Sequence, residues 1–196
     1  MAGGRQEARI VWDAAGQGNV FQLIDALTAH GHLIDTPNSD PTVRKMPMPM
    51  HHAAQKGNVL AIEILFRFGS KAIDASTKDQ GWTPMHLAAE NGHVEAIETL
   101  VRLGSKALDT PTRQEQCTPL HLAAQHGHLE VVESLLRFNV QSDSTDVDGH
   151  TPLHYAVHRG HVSIVEALVR TRREERWYGE LSEGSCGHQD SESLHS

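Results

Sequence analysis

Fifteen histidines in 196 residues make metal or acid–base chemistry the first possibility to weigh. His150, His154 and His158 fall at i, i+4 spacing, which puts imidazoles on one helix face as a zinc site requires. His51 and His52 form a second local group. Neither is completed by an HExxH pattern or a cysteine pair. The two cysteines, Cys117 and Cys186, are far apart, and nothing beside Cys117 in the chain supplies the positive charge that turns a thiol into a nucleophile. No Gly-rich phosphate loop, nucleophile–base motif or facing pair of carboxylates stands out. The chemistry-bearing residues therefore predict a non-enzyme without cofactor or metal, with a metal-binding or catalytic group at His150, His154 and His158 as the rival.

Repetition accounts for most of the histidines. The segment "TPMHLAAENGHVEAIETL" recurs as "TPLHLAAQHGHLEVVESL" and "TPLHYAVHRGHVSIVEAL", with a weaker copy, "MPMHHAAQKGNVLAIEIL", upstream. Pro49, Pro84, Pro119 and Pro152 mark one slot at spacings of 35, 35 and 33 residues. A fifth, divergent copy opens the chain, where "DAAGQGNVFQLIDAL" aligns Ala14 with Ala53, and Trp12 replaces the histidine. His51, His86, His121 and His154 share one slot, and His93, His128 and His161 another. Equivalent residues of stacked helical units stay well apart, whereas a metal needs three or four ligands converging, so a structural role is expected.

Each unit follows from local rules. Thr83, Thr118 and Thr151 offer a hydroxyl to free backbone N–H groups, and the following proline suits a first helical turn, so Thr-Pro starts a helix. Gly57, Gly92, Gly127 and Gly160 stop it and turn the chain into a second helix. That helix is amphipathic: Val94, Ile97, Leu100 and Val101 share a face, while Glu95, Glu98 and Arg102 point away. Polar, turn-rich stretches such as "DASTKDQGW" and "DSTDVDGH" join the units as projecting fingers.

The T-P-L-H-x-A-A signature, its G-H turn and the period of roughly 33 residues resemble the ankyrin repeat. The resemblance covers about residues 9 to 170 and implies an all-α dominated repeat solenoid. Its expected form is a curved stack of about five helix-turn-helix units with short β-hairpin fingers, at about 9–40, 46–79, 81–114, 116–147 and 149–171. Residues 1–8 are expected to be an N-terminal tail, and 171–196 a charged helical extension dissolving into disorder from about Gly179. Trp177, Tyr178 and Leu181 are candidates to cap the last helix. Two departures stand out: "GSKAID" and "GSKALD" lengthen the central turns, and Asp35 to Pro49 spans 14 residues where Asp74 to Pro84 spans 10.

Slots that vary between units are free of packing duty and available to a partner. They are the finger tip, the residue before Thr-Pro and the two residues after Ala-Ala, which the ankyrin resemblance puts on the concave side. The expected face is Arg44, Lys45, Pro47, Gln55 and Lys56, then Asp79, Gln80, Trp82, Glu90 and Asn91. Gln114, Glu115, Cys117, Gln125 and His126 continue it, and Val147, Asp148, His150, His158 and Arg159 end it. Trp82 is either an exposed anchor or packed along its own finger. Met48 stands in a Thr slot, a change that weakens that helix start by about 1 kcal/mol.

With 25 acidic against 17 basic residues and a formal charge of −8, the chain is not expected to bind nucleic acid. No 18-residue apolar span or secretory segment is present, which predicts a soluble intracellular chain, cytoplasmic, with the nucleus or delivery into a host cell left open; a monomer without a membrane partner is expected. The expected function is a scaffold or inhibitor that binds another protein through the concave face. A passive spacer without a specific partner is the second alternative.

Overall fold

In the computed structural model, residues 3–37 and 48–183 are described, with the side chains of 7–37 and 48–173. Among the described residues ten α-helices come in consecutive pairs: α1 (Gly3–Gln17) with α2 (Val20–His30), α3 (Pro49–Gln55) with α4 (Val59–Arg67), and α5 (Pro84–Glu90) with α6 (Val94–Arg102). The pairs α7 (Pro119–His126) with α8 (Leu129–Arg137) and α9 (Pro152–Arg159) with α10 (Val162–Glu183) follow. The first helices pack side by side from α1 to α9, and the second helices line up behind them from α2 to α10. One apolar core runs through all five pairs, from Val11 to Leu168, as the stacking of amphipathic units requires.

The helix starts follow the sequence reading with one addition. Thr83, Thr118 and Thr151 cap α5, α7 and α9, and each is answered by the histidine three residues on, which accepts the threonine's backbone N–H. Histidine thus does the work of the glutamate in an ordinary capping box. Unit two lacks this device, because Met48 has no side-chain cap to offer α3. Gly92 shows why the turn needs glycine: its φ is +78°, and a Cβ there would lie 2.8 Å from the His128 ring.

The β-hairpin fingers are not seen: among the described residues there is no strand. A ladder needs residue pairs that exchange both backbone bonds, and in the described fingers the closing pair exchanges only one. Thr77 N donates to the Trp82 carbonyl at 2.8 Å, but the return bond, from Trp82 N at 3.0 Å, goes to the Thr77 hydroxyl. Thr112 and Cys117 repeat this arrangement, and Asp146 supplies a carboxylate oxygen to His150 N in the last finger. Neighbouring fingers touch through single backbone–backbone bonds, Arg113 N to Gln80 O and Val147 N to Glu115 O.

The lengthened "GSKA" turns have a purpose. The Ser70 hydroxyl and Lys71 N both donate to Asp35, and Ser105 and Lys106 do the same to Asp74, tying each unit to the one before. At the ends, α1 already begins at Gly3, so residues 3–8 are helical, and α10 passes Gly179 to reach Glu183. The side chains of Trp177, Tyr178 and Leu181 lie outside the described residues.

Candidate partner-binding face

The histidines of the first slot are structural. In His86, Nδ1 accepts from Thr83 N at 3.2 Å, which leaves the ring hydrogen on Nε2 to donate to the Cys117 carbonyl, 3.1 Å away in the next finger. His121 repeats both bonds, with Thr118 N and the His150 carbonyl. His51 keeps only the forward bond, to the Trp82 carbonyl. Its Nδ1 is buried without a hydrogen-bond partner, and Met48 at the cap position has no hydroxyl to offer it. Burial pushes His51 and His86 down to about 4 and lowers His52 and His121 as well, so these rings are neutral at pH 7. The second slot reaches backward: His93, His128 and His161 donate from Nε2 to the carbonyls of Gln55, Glu90 and Gln125. Asn58 does this work in unit two, donating to the Ala15 and Gly16 carbonyls.

Among the described residues, no three His, Cys, Asp or Glu side chains are grouped to hold a metal ion. His154 spends its Nδ1 on the Thr151 cap, and its ring lies 5.8 Å from that of His150. Burial pushes the Cys117 thiol up to about 11, the wrong direction for a nucleophile.

The expected face divides into two depressions. The first, of about 230 Å³ between units three and four, brings together Gln80, Trp82, Glu90, Gln114, Glu115, Gln125 and His126 around Thr112 and Leu122. Trp82 is its floor and not a projecting anchor: it is 5% exposed and packs with Leu87, Cys117 and Leu122. Cys117, in the same slot, is equally buried. The slot before Thr-Pro is therefore not free inside the stack, because the next finger lies over it. Among the described residues it is exposed only in the last unit, as His150.

The second depression, of about 740 Å³, gathers Asp148, His150, His158 and Arg159 with Leu153, His154, Tyr155, Val157 and Arg172. Beneath it, Asp146 accepts from the Tyr155 hydroxyl at 2.6 Å and from the backbone N–H groups of Asp148 and His150. Burial pushes the Asp146 carboxyl up, but these bonds outweigh it and hold the pKa below the usual range. The same bond pushes Tyr155 up.

The other expected residues join neither depression. Lys56, Asp79 and Asn91 are exposed and Gln55 half-buried. The Asp79 carbonyl accepts from Gln114 Nε2, and Asn91 Nδ2 is tied to the Leu87 carbonyl. Arg44, Lys45 and Pro47 lie outside the described residues. Thr77, Thr112 and Asp146, which lock the fingers, escaped the sequence reading although the two threonines recur six residues before each Thr-Pro.

No helix among the described residues is long and apolar enough to cross a membrane. A search of curated proteins finds no match. The family model for ankyrin repeats (three copies) matches residues 11–110 and again 106–175. Ankyrin repeats are generally protein–protein interaction modules and typically not enzymes. Paired helices on a near-constant period, with Thr-Pro starts and histidines bridging one unit to the next, agree with that match: the chain belongs to the ankyrin-repeat family.

Proposed function

We propose that the chain is a non-enzymatic scaffold or inhibitor that binds a partner protein across its finger tips and the ends of its first helices. The observation that carries this reading is the convergence of six variable residues, Gln80, Glu90, Gln114, Glu115, Gln125 and His126, in one depression between units three and four. Beneath them lies a packed floor of Trp82, Leu87, Cys117 and Leu122. Variable side chains on a rigid support are what a specific interface needs, since little ordering entropy is then spent on binding. Glu90 and Glu115 favour a partner that presents basic side chains at this point.

Trp82 is unsuitable as a probe because it is buried, so the test uses the double variant Glu90→Arg/Glu115→Arg. Cross-linking and pull-down from cell extract, with circular dichroism to verify the fold, should recover a partner with the wild type and lose it with the variant. Equal recovery by both proteins would overturn the assignment of this face.

A further inference from the structure

The junctions inside the stack share one pattern, and the last unit carries half of it with no described residue opposite. Nε2 of His51, His86 and His121 donates to a carbonyl of the following finger. His154 is prepared in the same way, because its Nδ1 accepts from Thr151 N at 2.9 Å and the ring hydrogen therefore sits on Nε2. Yet its ring is exposed, and no described residue accepts from that nitrogen. Val157, in the slot of the fully buried Ala89 and Ala124, is 61% exposed. Leu153 and Tyr155 line the same open depression of about 740 Å³.

Three occupants can be compared. One more ankyrin unit, or the front of a second copy, needs alanine at position 157 for close helix approach, and valine adds bulk there. The segment 184–196, "GSCGHQDSESLHS", carries Leu194 as its one aliphatic side chain, too little to fill the face. The third is a separate helix, and the charge on the rim says which kind. Among the described residues, Arg159 and Arg172 are its fixed positive charges and Asp148 is the carboxylate on the rim, while the Asp146 carboxylate beneath is taken up by Tyr155 and two backbone N–H groups.

The geometry points to a docking site for an acidic amphipathic helix of a partner protein, laid across α9. Its apolar ridge sits on Leu153 and Val157, and its carboxylates face Arg159, Arg172 and the Nε2–H of His154. The site continues the line of established unit-to-unit interfaces and is separate from the depression between units three and four. A helix in a groove reads as apolar anchors flanked by polar specificity, which is what this face can offer.

The test is to pan a phage-displayed library of helical peptides with randomised polar flanks on the full chain. The affinity of the enriched peptides is then measured by fluorescence anisotropy. The site predicts Asp- and Glu-flanked ridges whose binding weakens about tenfold or more in Val157→Asp and in Arg172→Glu, and is unchanged in Glu90→Arg. Both sensitive variants alter exposed side chains, and circular dichroism checks that they remain folded. Basic or neutral ridges, no enrichment, or binding indifferent to Val157→Asp would overturn the proposal. So would a dimer in sedimentation that Val157→Asp dissociates, or a shift of the Val157 methyl resonances on deleting 184–196, since a second copy or the chain's own end would then be the occupant.

Discussion

Units two and three differ at one capping residue, and the comparison separates two jobs of the same histidine. His86 receives the Thr83 N–H and donates to Cys117, so it starts its own helix and holds the next finger. His51, behind Met48, donates to Trp82 and leaves Nδ1 buried and unsatisfied. Both rings are nevertheless held neutral with pKa values near 4, because burial dominates in both. Forward bonding between units and helix capping are therefore separable, and the family signature conceals the separation.

The largest effect expected from this comparison is acid sensitivity. In the unfolded chain each of these imidazoles takes up a proton near 6.5, whereas in the folded chain His51 and His86 do so only near 4. Above 6.5 neither state is protonated and stability is complete. As pH falls from 6.5 to 4 the unfolded state gains protons that the folded state refuses, and stability drops by about 3 kcal/mol for each ring. Urea midpoints measured across that window should fall steadily, and the slope should shrink in His51→Ala or His86→Ala. A flat profile would show that the rings are not held neutral.

Next in size is the difference between the two alanine variants. His86→Ala removes the cap acceptor and the forward donor and opens a cavity, and should cost about 3 kcal/mol. His51→Ala has no cap to lose and relieves an unsatisfied nitrogen, so about 2 kcal/mol is expected. The Trp82 and Cys117 carbonyls keep a second donor, Thr77 N and Thr112 N respectively, in either variant. Chemical denaturation at pH 7.5 measures both, and a larger cost at His51 would contradict the division of labour. The smallest effect is a repair: Met48→Thr should return a partner to His51 Nδ1 and a cap to α3, raising stability by about 1 kcal/mol. A lower thermal midpoint in that variant would mean that Met48 contributes more by packing than it costs by failing to cap.

The helix starts and the stops were legible in the chain because each depends on residues within one turn of one another. Thr83 with His86 and the glycine at position 92 illustrate this. The fingers were misjudged as hairpins for a related reason. A threonine hydroxyl that takes the place of a backbone carbonyl, as Thr77 does for Trp82, leaves no signature in strand propensity. The long turns carry the Ser70–Asp35 and Ser105–Asp74 links, whose partners are 35 and 31 residues apart, beyond any local pattern.

Repetition alone determined the architecture, because a period of 33 to 35 residues with fixed turn signals admits one helix pair per unit, stacked on the next. It also told which residues vary. Whether a variable residue meets solvent was decided only by the tertiary structure. Trp82, Cys117 and His150 share a slot, yet the first two are buried and the third is exposed. Burial at that slot is conferred by the finger of the following unit, and no described unit follows the last one to cover His150.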